Sequence, residues 1–201
     1  MGEIMKKLAL GMTLLASVTL LSACGSSSSS SSNSPKTETI VKKKDSNIKT
    51  IQSKSITGNT VGVMKITTTK ITQEKVTKSE NSKTDAEYNF DGYKTLPKHY
   101  YRTTVHYTLK NVGNKKLGLG YSDMSFVDGD GQKYTDSSDT TFGFNDCSYE
   151  DLQPNNSESD KFILITTKPI NNLKTYSINT GQQNENDDTM LSEGGVIKFS
   201  N

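Results

Sequence analysis

Only two cysteines, Cys24 and Cys147, and two histidines, His99 and His106, occur in the 201 residues of this chain. Two cysteines cannot build the disulfide framework that staples many small secreted domains, so any folded part rests on its apolar core. The histidines are seven residues apart, and an odd separation within one strand sends two side chains to opposite faces. A shared metal site or a paired acid–base role for them is therefore disfavoured. No Walker-type loop, G-x-S-x-G elbow, H-E-x-x-H or C-x-x-C occurs, which removes the common sequence marks of catalysis. The formal charge of +2 lacks the strong basic excess of a dedicated nucleic-acid binder. A long amphipathic helical period is also missing, and the longest apolar run, residues 8–21, is shorter than the roughly 20 residues a bilayer span needs.

What is present begins with that short run. Lys6 and Lys7 precede it, and Leu21-Ser22-Ala23-Cys24-Gly25 followed by serines 26–32 ends it. A charged start, an apolar middle and a small-residue exit make a secretory signal peptide. With a cysteine directly after Leu-Ser-Ala, the segment resembles the lipobox of bacterial lipoproteins. The resemblance implies removal of residues 1–23, a diacylglycerol on Cys24, and a protein held on the extracytoplasmic face of a cell membrane by its lipid. Residues 24–57, rich in serine and lysine, offer little apolar surface to offset ordering entropy and are expected to form a disordered tether. Such a tether has a reach of about 30–35 Å. Charge is uneven along the rest: residues 24–110 carry 15 basic and 7 acidic side chains, and residues 111–201 carry 7 and 14.

Residues 58–201 read as one domain. In Tyr101-Arg102-Thr103-Thr104-Val105-His106-Tyr107-Thr108-Leu109-Lys110 the odd positions are mostly apolar and the even ones polar, the period of a half-buried strand. Further β-rich stretches fall at 60–72, 117–127, 161–167, 174–178 and 196–199. Turn signals separate them at 111–114, 128–131, 153–156 and 168–172. Many strands with short polar turns predict an all-β, antiparallel sandwich.

Three motifs then support a family resemblance. Leu109-Lys110-Asn111-Val112-Gly113-Asn114-Lys115 resembles the strand-ending K-N-x-G-x-K turn of bacterial extracytoplasmic immunoglobulin-like domains of unknown function, frequent in Gram-positive lipoproteins and related to secreted immunoprotective antigens. Asp128-Gly129-Asp130-Gly131 with Tyr134 resembles the family's hairpin, and Leu152-Gln153-Pro154 resembles its L-x-P-G turn, with Asn155 in place of the glycine. The resemblance implies a single immunoglobulin-like β-sandwich and carries no catalytic residues.

Two stretches could hold a ligand. Asp128, Asp130, Gln132, Asp136 and Asp139 fall at the oxygen-donor positions of a calcium loop, but Lys133 occupies the position where that loop needs glycine. No metal or other cofactor is expected beyond the lipid on Cys24. Tyr88, Phe90, Tyr93 and Tyr100 concentrate aromatic rings in a chain that is 7% aromatic, either as a binding surface or as rings packed on the core. Cys147, left without a partner, is expected to be partly buried and inert. The function that follows is non-catalytic binding of a protein or cell-wall partner at the membrane surface, with no nucleic acid involved. An accessory or immunity-type subunit of a membrane complex, and a solute- or metal-binding lipoprotein, are the alternatives.

Overall fold

The computed structural model describes residues 47–119, 124–136, 141–147, 151–186 and 188–201. Cys24, the apolar segment, the serine run and Asp139 lie outside the described residues. In chain order the strands are β1 (Ile48–Gln52), β2 (Ile56–Thr57), β3 (Met64–Thr77), β4 (His99–Asn111), β5 (Leu117–Gly118), β6 (Ser125–Val127) and β7 (Lys133–Tyr134). They continue with β8 (Thr141–Asn145), β9 (Asp151–Leu152), β10 (Ser157–Thr166), β11 (Thr175–Asn179), β12 (Gln183–Asn186), β13 (Thr189–Ser192) and β14 (Val196–Ser200). One short helix, α1 (Asp85–Asn89), stands between two 3-10 turns, Glu80–Ser82 and Asp91–Thr95.

The large sheet runs β1-β3-β4-β10-β8, with β2 also paired to β3; the small one runs β14-β11-β6-β7. Every pairing in the two is antiparallel. The chain lays down the long β3–β4 hairpin, crosses to β6 and β7, returns for β8 and β10, and crosses again for β11 and β14. The result is an antiparallel β-sandwich.

Between the sheets lies the main core. Ile66, Ile71, Val105, Tyr107, Leu109, Phe162 and Leu164 from the large sheet meet Phe126, Tyr176, Ile178, Ile197 and Phe199 from the small one. Phe126 stacks on Tyr176 at 5.5 Å between ring centroids, and Tyr176 stacks on Phe199 at 5.0 Å. Burying one such side chain contributes about 1.5–3 kcal/mol, so this aromatic column can replace absent disulfides. Where Asn155 stands in place of a glycine, its φ of 64° lies in the left-handed region, which asparagine tolerates better than most residues.

A second core lies on the opposite face of the large sheet. Val76, Tyr100, Phe142, Ile163 and Ile165 are covered there by Ala86, Phe90, Tyr93 and Leu96 from the helical segment. Strands β4 and β10 are thus buried on both faces at one end.

One boundary departs from the sequence expectation of a tether through residue 57. Strand β1 pairs with β3 from Ile48↔Glu74 onward, and β2 pairs at Ile56↔Thr68. Ile51 and Ile56 pack against the main core. Gln52, 3% exposed, accepts a hydrogen bond from the Tyr176 hydroxyl at 2.9 Å and donates to Thr68 Oγ1 at 3.2 Å. Isoleucines spaced among lysines and serines give no clean period, so backbone pairing and one buried amide define this start.

Candidate functional site

Among the described residues, the helical segment covers only half of the large sheet's outer face and nothing else packs on the rest. The bare half carries residues that alternate with core positions, and strand register gathers them into rows. Thr57 pairs with Thr67, Thr67 with Thr108, and Thr108 with Ser159, so one row of hydroxyls crosses four strands. Lys65, Lys110 and Ser157 form the row on one side. Lys70, His106 and Lys161 form the row on the other. Neighbouring rows are about 7 Å apart along the strands, and strands are about 4.8 Å apart across them.

A bulge makes this pattern. Thr69 has no register partner on β4, and the pairing shifts between Thr68 and Lys70. Before it, Met64, Ile66 and Thr68 point into the core; after it, Ile71 and Gln73 do. Were Thr69 an ordinary paired position, period-2 alternation would turn Lys70 to the core and Ile71 to solvent; as an unpaired extra residue it keeps Lys70 outside.

Hydroxyls in the central row pair with each other, Thr57 with Thr67 at 2.8 Å and Thr108 with Ser159 at 2.9 Å. Each pair uses one of its two protons internally and keeps one to donate. Lys161 is paired with Asp146 at 2.5 Å. Among the described residues no carboxylate pairs with Lys65, Lys70 or Lys110, and all three are exposed. Burial, followed by the charges of Lys70 and Lys161, holds the His106 imidazole below its ordinary range. A cleft of about 480 Å³ opens here, lined by Thr69, His106, Ser159, Asp160, Lys161 and Asp146. A second, shallow cleft of about 440 Å³ lies by β11 and β14, with the Lys198 cation in its lining.

The aromatic stretch is different from a binding surface. Phe90, Tyr93 and Tyr100 are buried in the second core. Phe90 stacks on Phe142 at 4.8 Å, and Tyr93 meets Tyr100 edge-on at 6.3 Å. Of the four rings Tyr88 alone is exposed, at 67%, beneath the Lys83 ammonium. The rings serve to fix the helical layer, because the outer face of the sheet here is apolar and needs a cover.

The aspartate-rich hairpin is also occupied by its own bonds. Asp128 Oδ1 accepts from the amides of Asp130 at 3.0 Å and Gln132 at 2.9 Å, and its Oδ2 accepts from the Tyr134 hydroxyl at 2.8 Å. Gly131, at φ 84°, closes the turn. Asp130 accepts from Asn172 Nδ2 at 2.9 Å, and Asp136, exposed, follows β7. Among the described residues no three His, Cys, Asp or Glu side chains gather around one point. Asp128→Ala is expected to destabilise the domain by about 1–3 kcal/mol, because it strands the buried Tyr134 hydroxyl. The loss should be equal with and without calcium; a calcium-dependent loss in thermal unfolding would restore the metal reading.

His99 and His106 both lie in β4 and, seven apart, face opposite sides. Cys147 is half-buried against the main core, and burial pushes its thiol up to about 12. The basic and hydroxyl rows do not stand out in the sequence. Their only local signal is the polar half of the β4 alternation, and the rest depends on register between distant strands.

No protein-family model and no curated protein matches the chain. Among solved structures it is similar to a functionally unknown protein from Listeria monocytogenes EGD-e, with 11% identity, TM-score 0.48, and 77% of this chain and 87% of that one covered. It is also similar to an uncharacterized β-sandwich protein from Clostridium difficile 630, with 14% identity, TM-score 0.34 and coverage of 70% and 88%. A conserved hypothetical protein from Bacillus anthracis gives 13% identity, TM-score 0.37 and coverage of 73% and 98%. None of these lends an activity to this chain.

Proposed function

We propose that this protein is a bacterial surface lipoprotein, anchored through Cys24, that displays a non-catalytic, immunoglobulin-like binding domain outside the membrane. The observation that carries the display is the unbroken order of lysines, a short apolar run, Leu-Ser-Ala-Cys and serines at residues 6–32. A diacylglyceryl group gives two acyl chains, enough for stable attachment. The bare half of the large sheet supports the binding reading: among the described residues, a helical layer covers one half of that face and the other half is polar and accessible.

Cys24→Ala in full-length protein, expressed in a Gram-positive host, should abolish recovery in the membrane fraction after a salt wash, and wild type should carry a diacylglyceryl mass on its N-terminal peptide. Equal retention of both proteins would overturn the anchoring.

A further inference from the structure

We infer that the bare half-face of the large sheet binds a linear polymer carrying phosphate groups at intervals, laid along the Thr57–Thr67–Thr108–Ser159 row between the two basic rows. This rests on reading the domain as a displayed binding module and names the chemistry of its ligand.

The donor set points to an anion. Lys65, Lys70 and Lys110 are exposed and have no carboxylate partner among the described residues. Their four-carbon stems allow the ammonium groups to lean over the hydroxyl row from both sides. Each hydroxyl pair keeps one proton to donate. An anion seated over that row would meet hydroxyl donors from below and ammonium groups from either flank. Phosphate oxygens accept from both kinds of donor, and a phosphodiester stays charged at every physiological pH.

The shape of the face points to a chain. The hydroxyl row crosses four strands, about 14 Å from end to end, which is longer than one isolated phosphate requires. At one side of the bare region stands the helical layer, which packs on β8 and β10 through Phe90, Ala86, Phe142 and Ile163. Packed layers stand roughly 10 Å apart, so the rows lie on a recessed floor. A bilayer surface, flat on this scale, would meet the helical layer before reaching them; a single polymer strand could lie in the recess. At the Lys161 end, Asp146 neutralises the ammonium, so the attractive field is strongest over β3 and β4.

The test uses the full-length chain in detergent with fluorescent linear polyphosphate as probe. Lys65→Gln/Lys70→Gln/Lys110→Gln changes exposed side chains only. It should weaken binding about ten-fold or more and reduce the slope of log affinity against log salt by about 2, in line with three lost phosphate contacts. Lys133→Gln/Lys174→Gln/Lys198→Gln, outside this face, should leave affinity within about two-fold. Equal loss in the two variants would overturn the site. Equally tight binding of wild type to polyglutamate would overturn the phosphate class, and tighter binding to phosphatidylglycerol vesicles would make the partner a membrane. Both results would leave the anchored-lipoprotein reading intact, because that reading stands or falls on the Cys24→Ala fractionation.

Discussion

Replacing Arg102 by alanine should cost about 3–5 kcal/mol of folding free energy, the usual penalty for stripping one partner from a buried ion pair. Its guanidinium reaches three groups at once: Glu87 Oε1 at 2.8 Å, Glu74 Oε1 at 2.8 Å and the Ser82 carbonyl at 2.6 Å. Glu87 has no exposed side-chain surface. The same carboxylate accepts the Tyr100 hydroxyl at 2.9 Å and the Thr84 amide at 2.8 Å, and it is also bonded by the Thr84 hydroxyl. It therefore caps α1 and ties that helix to β4. Without Arg102 the carboxylate keeps its neutral donors but loses the counter-charge bonded to it. Arg102→Lys should recover only part of the loss, because an ammonium cannot reproduce the planar fork. Glu87→Gln placed on Arg102→Ala should be milder than Arg102→Ala alone, since an amide needs no counter-charge. Urea denaturation reads all three; an unchanged midpoint for Arg102→Ala would sink the argument.

Raising the pH should unfold the protein cooperatively between about pH 11 and 12. Tyr100, Tyr107, Tyr134 and Tyr176 are each at most 4% exposed, and burial raises the hydroxyl of each above its ordinary value of 10. For Tyr100 the Glu87 charge adds to this, and for Tyr134 the bond donated to Asp128 does. Below pH 10 folded and unfolded chains both hold these protons, and stability is indifferent to them. Above it the unfolded chain releases protons that the folded one retains, so stability falls by up to about 1.4 kcal/mol per pH unit for each group. Four groups together give up to about 5.5 kcal/mol per unit, and a typical domain has only about 5–15 kcal/mol to lose. Circular dichroism and tyrosinate absorbance should change together. A smooth tyrosinate titration centred near pH 10 with the fold intact would contradict the burial of these rings.

The sandwich is legible in the sequence because β4, β10, β11 and β14 each carry a pattern that suits a sheet. The turns at 128–131 and 153–156 are legible from their glycine, asparagine and proline. The second core is not, for a physical reason visible at Tyr100 and Tyr101. Alternation alone puts Tyr101 inside, yet Tyr100 is the fully buried ring, because the helical layer covers the face that alternation assigns to water. Strand β8, Thr-Phe-Gly-Phe-Asn, escapes a sequence reading because its phenylalanines pack under that layer and its neighbours in sequence are serine and aspartate. Beyond the polar half of β4 the basic rows cannot be read: Lys70, His106 and Lys161 are far apart in the chain, and the Thr69 bulge alone decides that Lys70 joins them.

Among the described residues, strand β1 sits at the sheet's rim and pairs only with β3, keeping Ile48, Lys49 and Thr50 in solvent. Any pull arriving along the chain ahead of Asn47 is therefore carried first by a five-residue seam, whose last residue, Gln52, is bonded to Tyr176 of the aromatic column. Peeling residues 48–57 away would release about 33–36 Å of extended chain and would uncover Ile51, Ile56 and the buried Gln52 amide. Load on the rim strand is thus load on the packing between the sheets, passed through one buried amide.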